Sequence, residues 1–222
     1  MRSIMNRSTV IESILRHKII VILRGLSEDE LSNTVEAMYK GGIRLAEVTY
    51  DSRWNPSDEV TAQHIRRMAE TFPQMHIGAG TVLTERQAEL TAEAGGEFII
   101  SPDTNPDVIR RTRELGLVSI PGALTPSECT LAHRSGADFI KLFPVGEMKP
   151  SYLRALAAPL SHLKFLAVGG INENNLADYI RAGACGIGVA AGIVNREAIT
   201  AGDYDAVTRL AENYVAAAES LA

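Results

Sequence analysis

Three charged residues fall inside stretches that otherwise read as buried strand. They are Arg24 at the end of KIIVILRG (from Lys18), Glu47 within IRLAEVTY (from Ile43) and Lys141 within DFIKLFPV (from Asp138). Side chains alternate between the two faces of a strand. Lys141 therefore shares a face with Phe139 and Phe143, opposite Ile140 and Leu142. Glu47 shares a face with Leu45 and Thr49, and Arg24 with Ile22. A cation among apolar groups is costly unless it is paired or neutralised. Burial and a neighbouring cation both lower an amine's pKa, and the free base is the form that attacks a carbonyl carbon. The three charges together predict amine chemistry at Lys141, with Arg24 as the neighbouring cation and holder of a substrate carboxylate, and Glu47 moving protons. A purely structural ion-pair network is the competing account. Apolar replacements of such networks are often as stable, so stability alone explains three interior charges poorly.

The elements that must position these residues follow a rhythm. After the first two runs come MHIGAGTV (from Met75), EFIISPD (Glu97), LVSIPGAL (Leu117), DFIKLFPV, LKFLAVGG (Leu163) and CGIGVAAG (Cys185), making eight β-rich runs in all. Segments of helical period separate them, with start signals at Ser27, Thr84, Thr125-Pro126 and Asn172, and glycines at their ends. Eight alternating units predict a closed (β/α)8 TIM barrel, one domain over residues 1–222. An open doubly wound sheet would more often carry a Gly-rich phosphate loop after its first strand, and none is present. The stretch 8–17 is expected to form an extra N-terminal helix closing the barrel floor, and the chain from Asp203 a last amphipathic helix. Barrel active sites lie at the carboxyl ends of the strands. The search thus narrows to Arg24, Glu47, Thr49, Thr81, Ser101-Pro102-Asp103, Lys141, Gly169-Gly170, Gly186 and Gly188.

Composition excludes several classes. With 222 residues, 45% hydrophobic and a net charge of -5, the chain offers no basic stripe for nucleic acid. The run Ile19 to Leu23 is far too short to span a bilayer. The N-terminus lacks an apolar signal region, so a cytoplasmic location is expected. Cys129 and Cys185 form no paired-cysteine zinc motif and read as small buried hydrophobes. His17, His64, His76, His133 and His162 show no H-x-H or helical pair, so no metal and no other cofactor is expected. Asp103 either touches substrate or caps the helix toward Asn105-Pro106. Trp54 is either a pocket lid or a subunit contact.

In order, VILRG, Glu-Val-Thr, GAGTVLT, ISPD, IPGALTPSE, FIKLFPV, AVGGIN and GIGV make the chain similar to a known family from about Ile11 onward. It resembles the bacterial 2-keto-3-deoxy-6-phosphogluconate and 4-hydroxy-2-oxoglutarate aldolases and the related 6-phosphogalactonate aldolases. The resemblance implies a class I mechanism without metal. Lys141 matches the Schiff-base lysine and Glu47 the proton-transferring glutamate. Arg24 and Thr81 match groups holding the pyruvate carboxylate, and Pro102 and Phe143 match residues lining the imine pocket. Gly169, Gly170 and strand-eight glycines such as Gly188 match backbone that receives a phosphate, their alternative role being tight packing. The resemblance also implies a homotrimer acting on a small 2-keto acid.

The sequence leaves the pattern around the aldehyde half. Where phosphogluconate-type members carry arginine after the Glu-Val-Thr, this chain has Tyr50-Asp51, and Asp51-Ser52 sits closer to the galactonate branch. The last strand loop, Gly188-Val189-Ala190-Ala191-Gly192, lacks the usual serine. Asp51 is expected to bring negative charge to the far end of the pocket, repelling a phosphate unless Arg53, Lys149 or another cation screens it. Retained pyruvate formation with shifted aldehyde selectivity is the expectation. A phosphate-binding barrel isomerase or synthase, or a non-catalytic sugar-acid binder, are the alternatives.

Overall fold

The computed structural model describes residues 7–51, 53–55 and 57–220; Ser52 lies outside the described residues. Along the chain run α1 (Arg7–His17), β1 (Ile19–Leu23), α2 (Glu28–Lys40), β2 (Leu45–Thr49), α3 (Asp58–Thr71), β3 (His76–Gly80), α4 (Glu85–Glu93), β4 (Phe98–Ile100) and α5 (Pro106–Glu114). There follow β5 (Val118–Ile120), β6 (Gly122–Ala123), α6 (Pro126–Arg134), β7 (Ile140–Leu142), α7 (Pro150–Ala157) and β8 (Phe165–Val168). The chain continues through α8 (Leu176–Arg181), β9 (Ala184–Val189), α9 (Arg196–Thr200) and α10 (Tyr204–Glu219).

All strand pairs are parallel, in the order β5-β4-β3-β2-β1-β9-β8-β7-β6. The two edges, β5 and β6, belong to one run of chain. Val118–Ile120 pairs with β4, and beyond Pro121 Gly122–Ala123 pairs with β7. The eight expected runs therefore appear as nine strands. Proline has no N–H to donate to a ladder, and Pro121 only accepts, from the Lys141 N–H at 2.9 Å. The barrel is closed there by the main chain itself.

Period two sorts the apolar residues onto the two faces. Ile19, Val21, Ala46, Val48, Ile140 and Leu142 join the layer under the helices, with Leu31, Val35, Met38 and Ile65. Ile20, Leu45, Phe98, Ile100, Phe139 and Leu166 form a separate inner cluster. Val10 and Ile14 of α1 complete it, so the N-terminal helix plugs the floor as its sequence predicted. With that end filled, the barrel interior opens only toward the carboxyl ends of the strands.

The start signals mostly act as read. Ser27 and Thr125 each form a reciprocal capping box, with Glu30 and Glu128. Thr84 accepts from the Gln87 N–H and Asp203 from that of Ala206. Asn172 is the exception. The helix after β8 begins at Leu176, and Asn172 Oδ1 instead accepts from the N–H groups of Asn174 and Asn175, a local turn that delays the helix. Asn105, not Asp103, caps α5. No helix among the described residues is long and apolar enough to cross a membrane.

Candidate active site

Lys141 and Glu47 point into the barrel, 7% and 2% exposed. They line one small cavity of about 10 Å³, with Ile22, Ile100, Val168 and Gly188 among its walls. That volume accommodates roughly one water molecule. Withdrawal from water penalises the charged form of each group. It raises the Glu47 carboxyl to about 7, against the opposing pull of Lys141 and Arg24. It lowers Lys141 from its ordinary value, opposed by Glu47 and reinforced by Arg24. Glu47 Oε2 has no hydrogen-bond partner among the described residues. The amine and the acid are thus moved toward each other and toward neutrality. Lys141 Nζ also lies 4.7 Å from the centroid of the Phe143 ring, which is 36% exposed.

The second cluster sits at the ends of β1, β2 and β3. Arg24 donates through Nη2 to Thr81 Oγ1 at 2.7 Å and through Nη1 to Asp51 Oδ2 at 2.6 Å. Arg53 embraces the same carboxylate, with Nε 3.0 Å from Oδ1 and Nη2 2.7 Å from Oδ2. Hydrogen bonds from Arg53 are the largest influence holding the Asp51 carboxyl well below the usual carboxylate range. Asp51 is thus a screened carboxylate, fixed beside Arg24 and Thr81. Arg53 supplies the screening cation that the sequence allowed for, and Arg24 a second. Trp54 lies over Gly25, where a Cβ would approach its ring to within 2.9 Å. Gly25 O in turn accepts from Arg196 Nη1 at 2.8 Å.

Gly169, Gly170, Gly188 and Pro102 occupy the same end of the barrel, whereas Gly186 packs against Lys18 O at the start of β1. Gly169 and Gly170 have φ of +94° and +75°, and a Cβ on Gly146 would fall 2.6 Å from Gly169 O. The Phe143 ring packs on Gly169, 3.3 Å from where its Cβ would lie. Gly188 packs against Val168 and lines the Lys141 cavity. Pro102 stands behind the wall, its carbonyl against Gly122, whose register partner is Lys141. Three contributors were missed from sequence: Arg24 as a second cation on Asp51, the contact of Trp54 with Gly25, and Arg196. Register offers the one signal for the first, because Leu23 pairs with Val48 and so brings the chain after β1 beside the chain after β2. Among the described residues no group of three or more His, Cys, Asp or Glu is placed to hold a metal ion.

A parallel barrel that offers a desolvated amine and a raised carboxyl at one cavity defines a barrel enzyme built for carbonyl chemistry. More specifically, the chain belongs to the KDPG and KHG aldolase family, whose model matches residues 10–210, and it is a carbon–carbon lyase. A probable 2-dehydro-3-deoxy-6-phosphogalactonate aldolase of Rhizobium meliloti (strain 1021) is 36% identical over 204 residues, 87% of this chain and 94% of that protein. A solved structure described as native KDPGal has a TM-score of 0.82 at 31% identity, covering 91% of this chain and 95% of its own. The KDPG aldolase of Legionella pneumophila, with pyruvate captured as a covalent carbinolamine intermediate, has a TM-score of 0.80 at 26% identity. That match covers 91% of this chain and 96% of the other.

Proposed function

We propose that the protein is a class I aldolase that cleaves a 2-keto-3-deoxy sugar acid or a 4-hydroxy-2-keto acid to pyruvate and an aldehyde through a Schiff base on Lys141. The observation that carries this reading is the single cavity shared by a depressed amine and a raised carboxyl. The Lys141 amine adds to the C2 carbonyl to give a carbinolamine, which loses water to form a protonated imine. Breaking the C3–C4 bond then sends its electron pair to the imine nitrogen, leaving an enamine, while the C4 hydroxyl proton passes to Glu47 and the aldehyde departs. Return of a proton to C3 and hydrolysis release pyruvate and the free lysine. A carboxyl with a pKa near 7 both accepts and returns that proton at neutral pH. The imine nitrogen serves as electron sink, so the reaction calls for no metal.

Arg24 and Thr81 hold the keto-acid carboxylate, and Pro102 and Phe143 shape the surroundings of the imine. The backbone at Gly169, Gly170 and Gly188 receives the far end of the substrate. The galactonate-named relative favours a 2-keto-3-deoxy-6-phosphogalactonate-type acid as the first substrate to try. The same reading takes the protein as a cytoplasmic homotrimer, which sedimentation velocity tests for assembly. Borohydride reduction with pyruvate should leave a stable adduct at Lys141, located by peptide mass spectrometry; its absence defeats the mechanism. Pyruvate release across phosphorylated and free 2-keto-3-deoxy acids of both C4 configurations then fixes the aldehyde half.

A further inference from the structure

We propose that Asp51 is a positioning residue of this pocket: it pins the Arg24 guanidinium against Thr81, leaving the free edge of Arg24 to receive the carboxylate of the keto acid. The inference rests on the proposed reading of the site as a 2-keto acid pocket. A guanidinium presents five N–H groups in one plane. Two of those directions are already taken, by Asp51 Oδ2 at 2.6 Å and Thr81 Oγ1 at 2.7 Å. Two fixed partners on different nitrogens set the plane of the group. An arginine otherwise free at the surface loses rotamer freedom when it is immobilised. Here that ordering precedes substrate.

Both partners are themselves held. The Asp51 side chain is 7% exposed, and its far side is gripped by the Arg53 backbone N–H, Nε and Nη2. The neighbouring Tyr50 is tied down by its N–H to Gly80 O at 2.9 Å and its hydroxyl to Gln87 O at 3.1 Å. Thr81 has a φ of +57°, a conformation that β-branched residues rarely adopt and that persists only where surroundings enforce it. Charge points the same way. Arg24, Asp51 and Arg53 carry two positive charges and one negative, so the trio retains one positive charge, the complement of one further carboxylate.

The experiment isolates the pyruvate half from the aldehyde. Exchange of the pyruvate methyl protons with deuterated water, followed by NMR, reports imine and enamine formation without any aldehyde present. Asp51→Ala should raise the pyruvate KM of exchange about tenfold or more, the usual size for losing a charge-assisted hydrogen bond, while its kcat stays within about threefold of the parent. Asp51→Asn, whose amide oxygen still accepts from Arg24, should recover most of the loss. A merely structural role would lower kcat along with thermal stability and leave that KM in place. An unchanged KM in Asp51→Ala, or a lower one, overturns the proposal; the latter would mean that Asp51 competes with substrate for Arg24. Should Asp51→Ala fail to fold, Asp51→Asn carries the test, with a modest rise in KM expected and an unchanged KM overturning it. A parent protein that neither exchanges pyruvate protons nor is trapped by borohydride refutes the reading of the site and the role of Asp51 with it, a result distinct from a parent that exchanges while Asp51→Ala keeps its KM.

Discussion

The carboxyl group of Glu47 occupies the space that a side chain at Gly80 would need. A Cβ there would lie 2.5 Å from both Cδ and Oε1 of Glu47. The two residues stand on neighbouring strands, where Thr49 is the register partner of Gly80 and Glu47 that of Gly78. Glycine at 80 is therefore a matter of room for the acid.

Gly80→Ala should act on catalysis more than on folding. The colliding atoms are the end of a side chain, so the Glu47 carboxyl is pushed aside while the backbone stays. Overpacking of this kind costs about 1–3 kcal/mol, a shift of several degrees in Tm by scanning calorimetry. The kcat for pyruvate release should fall about 10- to 100-fold, because a displaced carboxyl loses part of the roughly 10²- to 10⁴-fold contribution of a positioned acid–base group. Undiminished kcat would mean that the carboxyl position is not critical.

Lys141→Met should separate chemistry from stability. An amine 7% exposed among apolar residues carries a desolvation cost that a methionine side chain of similar length does not. The variant should melt no lower than the parent, yet lose borohydride trapping and all measurable turnover. Residual trapping at another lysine would displace Lys141 from the mechanism.

Glu47 governs a pH dependence of stability whose direction is fixed. Its folded pKa of about 7 exceeds its ordinary 4.5, so between those values the folded protein binds the extra proton. Stability therefore falls as pH rises from about 4.5 to about 7, by on the order of 3 kcal/mol for such a shift. Lys141, lowered on folding, works oppositely at higher pH: its penalty is present below its folded pKa and is relieved as pH climbs toward 10.5. Urea unfolding of the parent and of Glu47→Gln at pH 5, 6, 7 and 8 measures the acid's share. The variant should show a flatter profile, and parallel profiles would contradict the burial-driven shift.

Ile14→Ala tests the floor. Ile14 is 0% exposed and belongs to the inner cluster with Phe98 and Phe139. Its truncation should cost about 2–5 kcal/mol. Because the helix plugs the end opposite the site, kcat below the melting transition should stay within a factor of about two.

Much of this arrangement was legible because it depends on alternation. Phe139-Ile140-Lys141-Leu142 declares which face each residue takes, and the closed barrel then decides that the lysine face is interior. The extra helix was legible from its own period. What escaped notice depends on neighbours distant in sequence or on backbone angles. Arg24 and Asp51 are 27 positions apart and meet only once β1 lies beside β2. Thr81 is named beside Arg24 by the resemblance, but its left-handed backbone and the direct bond it accepts from Arg24 are not legible in the sequence. Pro121 interrupts a run that reads as continuous, and only the ladder shows that its two parts serve different neighbours.

That interruption divides the sheet into two contiguous blocks, β1 to β5 and β6 to β9. One ladder, between β1 and β9, joins them on one side; on the other the chain runs through Pro121, and the N–H groups of Asp138 and Phe139 donate to Ser119 O, and that of Gly122 to Asp103 O, across the junction. Glu47 belongs to the first block and Lys141 to the second. Neither block by itself holds both reactive groups. The mutual influence of acid and amine is thus a readout of docking: a molecule in which the blocks part, at the β1–β9 ladder and at the Ser119–Asp138 junction, would return each group to water and toward its ordinary ionisation while the ladders inside each block still stood.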